Sequence, residues 1–132
     1  MPGRLRGLRV LVVEDEVLVF WLTQDMLEEM GCLVLGPMTT VAQALSAITA
    51  QEIDAAVLDI NLNGQLSYPI ADALARKGVP YIFVTGYDIE RRPAAYRDAP
   101  ALQKPLHRKD LARTLASVLP PTPDVQGEAT RA

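Results

Sequence analysis

The feature that most constrains this chain is a rhythm of short apolar runs set between segments of helical period. The runs occupy residues 8–13, 33–35, 55–58, 81–84 and 101–102. The first is rich in β-branched residues, and short apolar runs of this kind read as strands covered on both faces. The second is expected to close at Gly36-Pro37. Between the first two, residues 17–30 place Leu18, Leu22, Met26 or Leu27, and Met30 on one helical face, with Gly31 as the stop. Thr39 or Thr40 can cap a helix reaching to about Ala50, with Val41, Leu45 and Ile48 inward. Residues 68–77 turn Ile70 and Leu74 inward ahead of Gly78. A last helix, opening at Leu106 or His107, has Leu111, Leu115 and Val118 on its apolar face. Residues 88–97 are the least regular, because Pro93 interrupts them and Pro100 closes them. Strands alternating with helices imply right-handed crossovers, and so a parallel sheet with helices on both faces.

In such a sheet a site forms beyond the carboxyl ends of the strands. The sequence delivers Glu14 and Asp15 there after the first run, Asp59 after the third, Thr85 after the fourth and Lys104 after the fifth. The stretch AAVLDINLNG around Asp59 shows the oddity best: an apolar run built for burial ends on a carboxylate. Burying an unpaired carboxylate is costly, so a partner is expected. Acids gathered at one edge repel one another unless a cation sits among them. Hard oxygen ligands with few protein contacts suit Mg²⁺, which keeps several waters. A hydroxyl and an ammonium facing the same point are what a phosphoryl group in transfer needs around its oxygens. An ionised carboxylate needs no base to act as the nucleophile, giving an acyl phosphate. His107 is the only histidine and sits beyond Pro105, which excludes a histidine-based triad.

Taken singly, each of these residues is ordinary. A strand-end Asp caps a loop, acids at a helix N-terminus complement its dipole, Thr85-Gly86 is a turn and Lys104-Pro105 a surface loop. Their conjunction at successive strand ends carries the reading. Phe20 and Trp21 read equally as partner anchors or as core and rim, and Leu62, Leu66 and Tyr68 as a docking patch or a self-packed loop.

Composition narrows the class. At 132 residues, 49% apolar and 22% charged, the chain supports one domain with a real core. A net charge of −3 leaves no basic field for nucleic acid, and Arg4, Arg6 and Arg9 are too local to change that. The lone Cys32 excludes an internal disulfide and zinc-ribbon patterns, and reads as a small packed residue. No apolar run approaches a bilayer span and no signal-peptide core stands at the start, so membrane insertion is not expected and the cytoplasm is. Residues 1–7 read as an N-terminal extension. Residues 120–132, with little apolar content, read as a disordered tail.

The acidic pair, the strand-end Asp, the Thr and the Lys-Pro together resemble the receiver domain of two-component response regulators, over residues 8–119. The resemblance implies an α/β, flavodoxin-like (βα)5 three-layer sandwich with a parallel five-stranded sheet in the order 2-1-3-4-5. It implies Asp59 as phosphoacceptor, and Mg²⁺ (with Mn²⁺ as a substitute) held by Asp15, Asp59, the backbone carbonyl of Asn61 and, through water, Glu14. Thr85 and Lys104 would bind the phosphoryl oxygens, with Gly86 freeing the backbone after Thr85. Glu14 stands where Asp is more usual, which lengthens its reach by one methylene.

A narrower likeness lies in FVTGY (83–87), NLNG after Asp59 and SYPIADAL (67–74), which are similar to the alphaproteobacterial FAT GUY receivers. Those are mostly single-domain proteins that work with sensor histidine kinases of the HWE and HisKA-2 groups. Val84 departs from that nickname's Ala. Ala101 departs from receivers generally, standing where a switch aromatic is usual, so Tyr87 becomes the candidate switch aromatic. The expected function is a receiver without an output domain. It would take a phosphoryl group from a histidine kinase or a phosphotransfer protein and switch protein contacts, with no dedicated substrate turnover. A phosphate sink draining a kinase is an alternative. A haloacid-dehalogenase-type phosphatase is disfavoured, because Asn61 stands where its second acid belongs. A flavodoxin-like cofactor binder is disfavoured, because acids stand where its phosphate loop would be.

Overall fold

The chain runs β1 (Arg9–Val13), α1 (Val17–Glu29), β2 (Leu33–Met38), α2 (Val41–Ala50) and β3 (Ala55–Asp59). It continues through a small hairpin of β4 (Asn61–Leu62) and β5 (Gln65–Leu66), then α3 (Tyr68–Arg76), β6 (Tyr81–Thr85), β7 (Ala101–Gln103) and α4 (Arg108–Val118). The structure is a computed structural model that describes residues 5–86 and 91–120. The main sheet has five parallel strands in the order β2-β1-β3-β6-β7. Because β4 and β5 pair only with each other, this is the expected order 2-1-3-4-5.

Alternation along the strands builds a core on each face. Leu11, Val13, Ala56, Leu58 and Phe83 pack with Val41, Ala44 and Ile48 of α2 and Ile70 and Leu74 of α3. Val10, Val12, Val57, Ile82 and Val84 pack with Phe20 and Leu27 of α1 and Leu111 and Leu115 of α4. Leu5, only 1% exposed, joins this second cluster. The α/β three-layer architecture is therefore as expected, with β3 buried along its whole length.

Several local expectations need correction. The inward face of α1 is Phe20, Thr23 and Leu27, whereas Leu18 and Leu22 are 70% and 60% exposed. The first six residues of α1 are all apolar, so periodicity alone offers no choice of face there. Packing against the sheet selects Phe20, and buried Thr23 satisfies its hydroxyl by donating to Val19 O at 2.8 Å. Strand β2 does not close at Gly36-Pro37 but runs through to Met38. It is an edge strand, where a residue without an N–H is tolerated. Helix α4 opens at Arg108, with His107 as its N-cap.

The irregular stretch holds a short 3-10 turn, Ala94–Tyr96, wound around Arg92. The buried guanidinium of Arg92 donates to the carbonyls of Tyr96, Ala99 and Arg97. Tyr87 and residues 88–90, like the tail from 121 to 132, lie outside the described residues.

Gly36 is a point of close approach. Its φ is +143°, and a Cβ there would lie 2.7 Å from Val12 O, a backbone atom of β1. Gly36→Ala should lower stability by about 1–3 kcal/mol, the scale of a forced backbone outlier, read as a lower urea midpoint with an unchanged slope.

Candidate functional site

β1 and β3 lie side by side, paired from Val10↔Ala55 to Val13↔Leu58, so Glu14 and Asp59 leave the sheet as neighbours. Both stay buried, at 4% and 5% exposure. Lys104 follows β7 and is fixed by its backbone N–H, which donates to Thr85 O at 2.8 Å. Its ammonium then donates to Glu14 Oε2 at 3.2 Å, Glu16 Oε1 at 3.1 Å and Asp59 Oδ2 at 3.3 Å. Three carboxylates share one cation.

The loop after Asp59 is built by turn chemistry. Asn63 (φ 52°) and Gly64 (φ 89°) sit in the left-handed region, as the two central residues of a tight hairpin require. Gly64 N–H donates to Asn61 Oδ1 at 2.6 Å, and Asn61 N–H reaches Asp59 Oδ1 at 3.4 Å. The hairpin thereby forms one wall of a cavity of about 350 Å³, lined by Asp15, Glu16, Asp59, Asn61, Gly86 and Lys104 among others.

Thr85 ends β6, 1% exposed, and lines an adjoining cavity of about 260 Å³ instead, with Ile60, Asn61, Tyr68 and Arg92. The structure thus brings Glu14, Asp15, Asp59, Asn61, Gly86 and Lys104 around one point and sets Thr85 behind it. Tyr87 lies outside the described residues. Ala101 pairs in register with Phe83. Tyr96 meets the Phe83 ring edge-on at 6.2 Å and stacks on Tyr68 at 4.4 Å.

The charges are strained toward neutrality. Burial pushes the Asp59 carboxyl above the ordinary aspartate range, and Lys104 pulls part of the way back. Glu14 is pushed up to about 7, first by burial and then by the Asp59 charge, against the opposing pull of Lys104. Burial works against the Lys104 ammonium, but Asp59 and Glu14 outweigh it and hold its pKa above that of an ordinary lysine.

Sequence reasoning missed Glu16 as a member of this cluster. Its position, one residue past the acidic pair, was the available signal. Among the described residues, Glu14, Asp15 and Asp59 each bring one carboxylate oxygen within 4.8 Å of the others. That donor set, hard and anionic beside an open cavity, fits a divalent cation such as Mg²⁺.

Comparison with known proteins identifies the class. Residues 10–116 match the family model of the response regulator receiver domain. The chain belongs to that family. The solution structure of SdrG from Sphingomonas melonis Fr1 is 39% identical, with a TM-score of 0.77 over 85% of this chain and 96% of that one. The BeF3-activated conformation of SdrG from Pseudomonas melonis Fr1, also 39% identical, has a TM-score of 0.75 over 86% and 98%. The PhyR stress response regulator is 27% identical, with a TM-score of 0.73 over 85% of this chain but 45% of that one. A curated relative, the uncharacterized transcriptional regulatory protein YbdJ of Bacillus subtilis (strain 168), is 32% identical over 83 residues. That match spans 61% of this chain and 36% of the relative's length. The SdrG likeness fits the narrower, alphaproteobacterial resemblance.

The raised acids make a signed prediction for the metal-free protein. A folded state that holds its proton to about pH 7, against 4.5 for an ordinary glutamate, binds more protons than the unfolded chain between those values. Stability therefore falls as pH rises through that window. Glu14→Gln should remove much of the slope, so its melting temperature in chelator gains on the wild type between pH 5 and pH 8. A constant difference across the range would contradict this.

Proposed function

We propose that this chain is a phosphorylation-switched receiver whose phosphoacceptor is Asp59. The observation that carries it is Asp59 itself: a buried strand-end carboxylate, 3.3 Å from the Lys104 ammonium and clustered with Glu14 and Asp15. In the reaction a carboxylate oxygen of Asp59 attacks phosphorus. The bond to the donor breaks, and the donor leaves with its electron pair. Lys104 screens the anion that forms, and the Thr85 hydroxyl gains a charge-assisted hydrogen bond to it. Glu14, Asp15, Asp59 and the backbone carbonyl of Asn61 would hold Mg²⁺. Bound there, the ion neutralises the acids and polarises the phosphoryl oxygens. The chain acts through protein contacts, in the cytoplasm and without substrate turnover of its own, and residues 8–119 form the receiver. Among the described residues no helix is long and apolar enough to cross a membrane.

The phosphodonor is a sensor histidine kinase of the HWE or HisKA-2 group, or a phosphotransfer protein. Supporting this, α1 leaves Val17, Leu18, Trp21 and Leu22 more than half exposed, beginning at the residue after Glu16 at the cavity mouth. Of residues 20 and 21, Phe20 belongs to the core, whereas Trp21, 56% exposed, is available as a partner anchor.

With Ala101 at the usual switch position, the signal leaves through Tyr87 and the segment after it. Thr85 is drawn toward the phosphoryl group, Gly86 lets the backbone follow, and the Arg92-centred turn with its Tyr96–Tyr68 stack changes its packing.

Asp59→Asn should abolish labelling by a small phosphodonor with Mg²⁺ while keeping the fold, and in chelator it should melt higher than the wild type because repulsion among the acids is relieved. Asp15→Ala should lose Mg²⁺ binding and labelling together, whereas Lys104→Ala keeps the metal. Continued labelling of Asp59→Asn at wild-type level would place the acceptor elsewhere. Tyr87→Ala should retain labelling but shorten the phosphorylated lifetime and mute amide-exchange changes across residues 87–97.

A further inference from the structure

The Lys104 ammonium stands in the way of the cation that the proposed function requires. It donates to Glu14 and Asp59, two of the three clustered carboxylates, at 3.2 and 3.3 Å. An ammonium and a divalent cation cannot use the same oxygens at full strength, and they repel each other at such distances. For the metal to enter, Lys104 must swing off both.

Among the described residues, only one of its three carboxylate partners lies outside the metal cluster. Glu16 pairs with Lys104 at 3.1 Å, and its side chain is 63% exposed, against 5% for Glu14 and 7% for Asp59. Glu16 sits at the N-cap of α1 yet makes no capping bond with its side chain. Its backbone N–H instead donates to Glu14 Oε2 at 3.2 Å, which steadies the carboxylate that Lys104 would release. It also lines the cavity mouth.

Resting on the proposed function, we infer that Glu16 is a positioning residue: a parking place that keeps Lys104 paired while Glu14 and Asp59 turn to a divalent cation. Glu16 touches neither the metal nor the phosphoryl group. It acts through Lys104, which stays anchored at the mouth, poised to return when an anion arrives on Asp59. Without Glu16 the ammonium has, among the described residues, only the metal's own ligands to pair with, and it competes for them. A four-carbon stem gives Lys104 the freedom for such a move.

The test is Mg²⁺ affinity measured by titration calorimetry on the full chain, which does not depend on phosphorylation. Glu16→Gln and Glu16→Asp should each weaken Mg²⁺ binding about threefold, the scale of one half-exposed ion pair. The Asp variant matters most, because it keeps the charge and loses the reach. In a Lys104→Met background, Mg²⁺ should bind more tightly than to the wild type, and neither change at position 16 should alter Kd further. Wild-type affinity in Glu16→Asp would overturn the inference, since charge alone would then suffice. An equal loss in the Lys104→Met background would overturn it too, since Glu16 would be acting on the metal directly. If the unaltered chain bound no Mg²⁺, the proposed function would fall along with this inference.

Discussion

One ammonium shared among three carboxylates is the interaction on which the rest of the site depends. Lys104 ties together the ends of β1 and β3, the start of α1 and, through its backbone bond to Thr85, the end of β6. In a partly buried setting each of those contacts is stronger than in water, but removing the groups from water costs nearly as much. The balance is close. Glu14 is pushed up to about 7, first by burial and then by the Asp59 charge, and Lys104 offsets only part of this. A site in that condition favours a further cation, and the state of its charges governs how tightly the ends of β1 and β3 and the start of α1 are held to Lys104.

The scaffold makes the convergence possible. A parallel sheet sends every strand's carboxyl end to one edge, and cores on both faces hold the strands in register. The two faces are used differently near the site. On one, α1 turns apolar residues outward beside the cavity mouth. On the other, Phe83, Tyr68 and Tyr96 form an aromatic cluster next to Thr85, and the Tyr96 hydroxyl donates to Asp72 at 2.9 Å. Tyr96 and Ala101 both pack against the core cluster that contains Phe83. In the proposed function these are the entrance and the exit of the signal.

Much of the fold was legible because strand and helix periods differ and the apolar runs were short and well separated. Ile70 and Leu74 face the core as periodicity required, and so do Leu111 and Leu115. Thr40 caps α2 by accepting from Gln43 N–H, as a Thr before an apolar helix should. Periodicity misled at α1, where the first turns are apolar all round, and at β2, where Gly36-Pro37 looked like a stop but lies within an edge strand. The hairpin after Asp59 reads from the sequence only as a loop, although Asn63-Gly64 is the turn pair that such a hairpin needs.

The sequence by itself determined which residues reach the site edge. A residue's place at the end of a strand is a local property, and Glu14, Asp15, Asp59, Thr85 and Lys104 each follow an apolar run whose length and flanking turns read as a strand. What the tertiary structure alone decided is how those residues divide their contacts. Glu16 joins Lys104 across 88 positions of chain, Thr85 lines a second cavity, and Phe20 rather than Leu18 faces the core. Local pattern cannot specify such choices, because they depend on distances between atoms that only the packing of sheet and helices brings together.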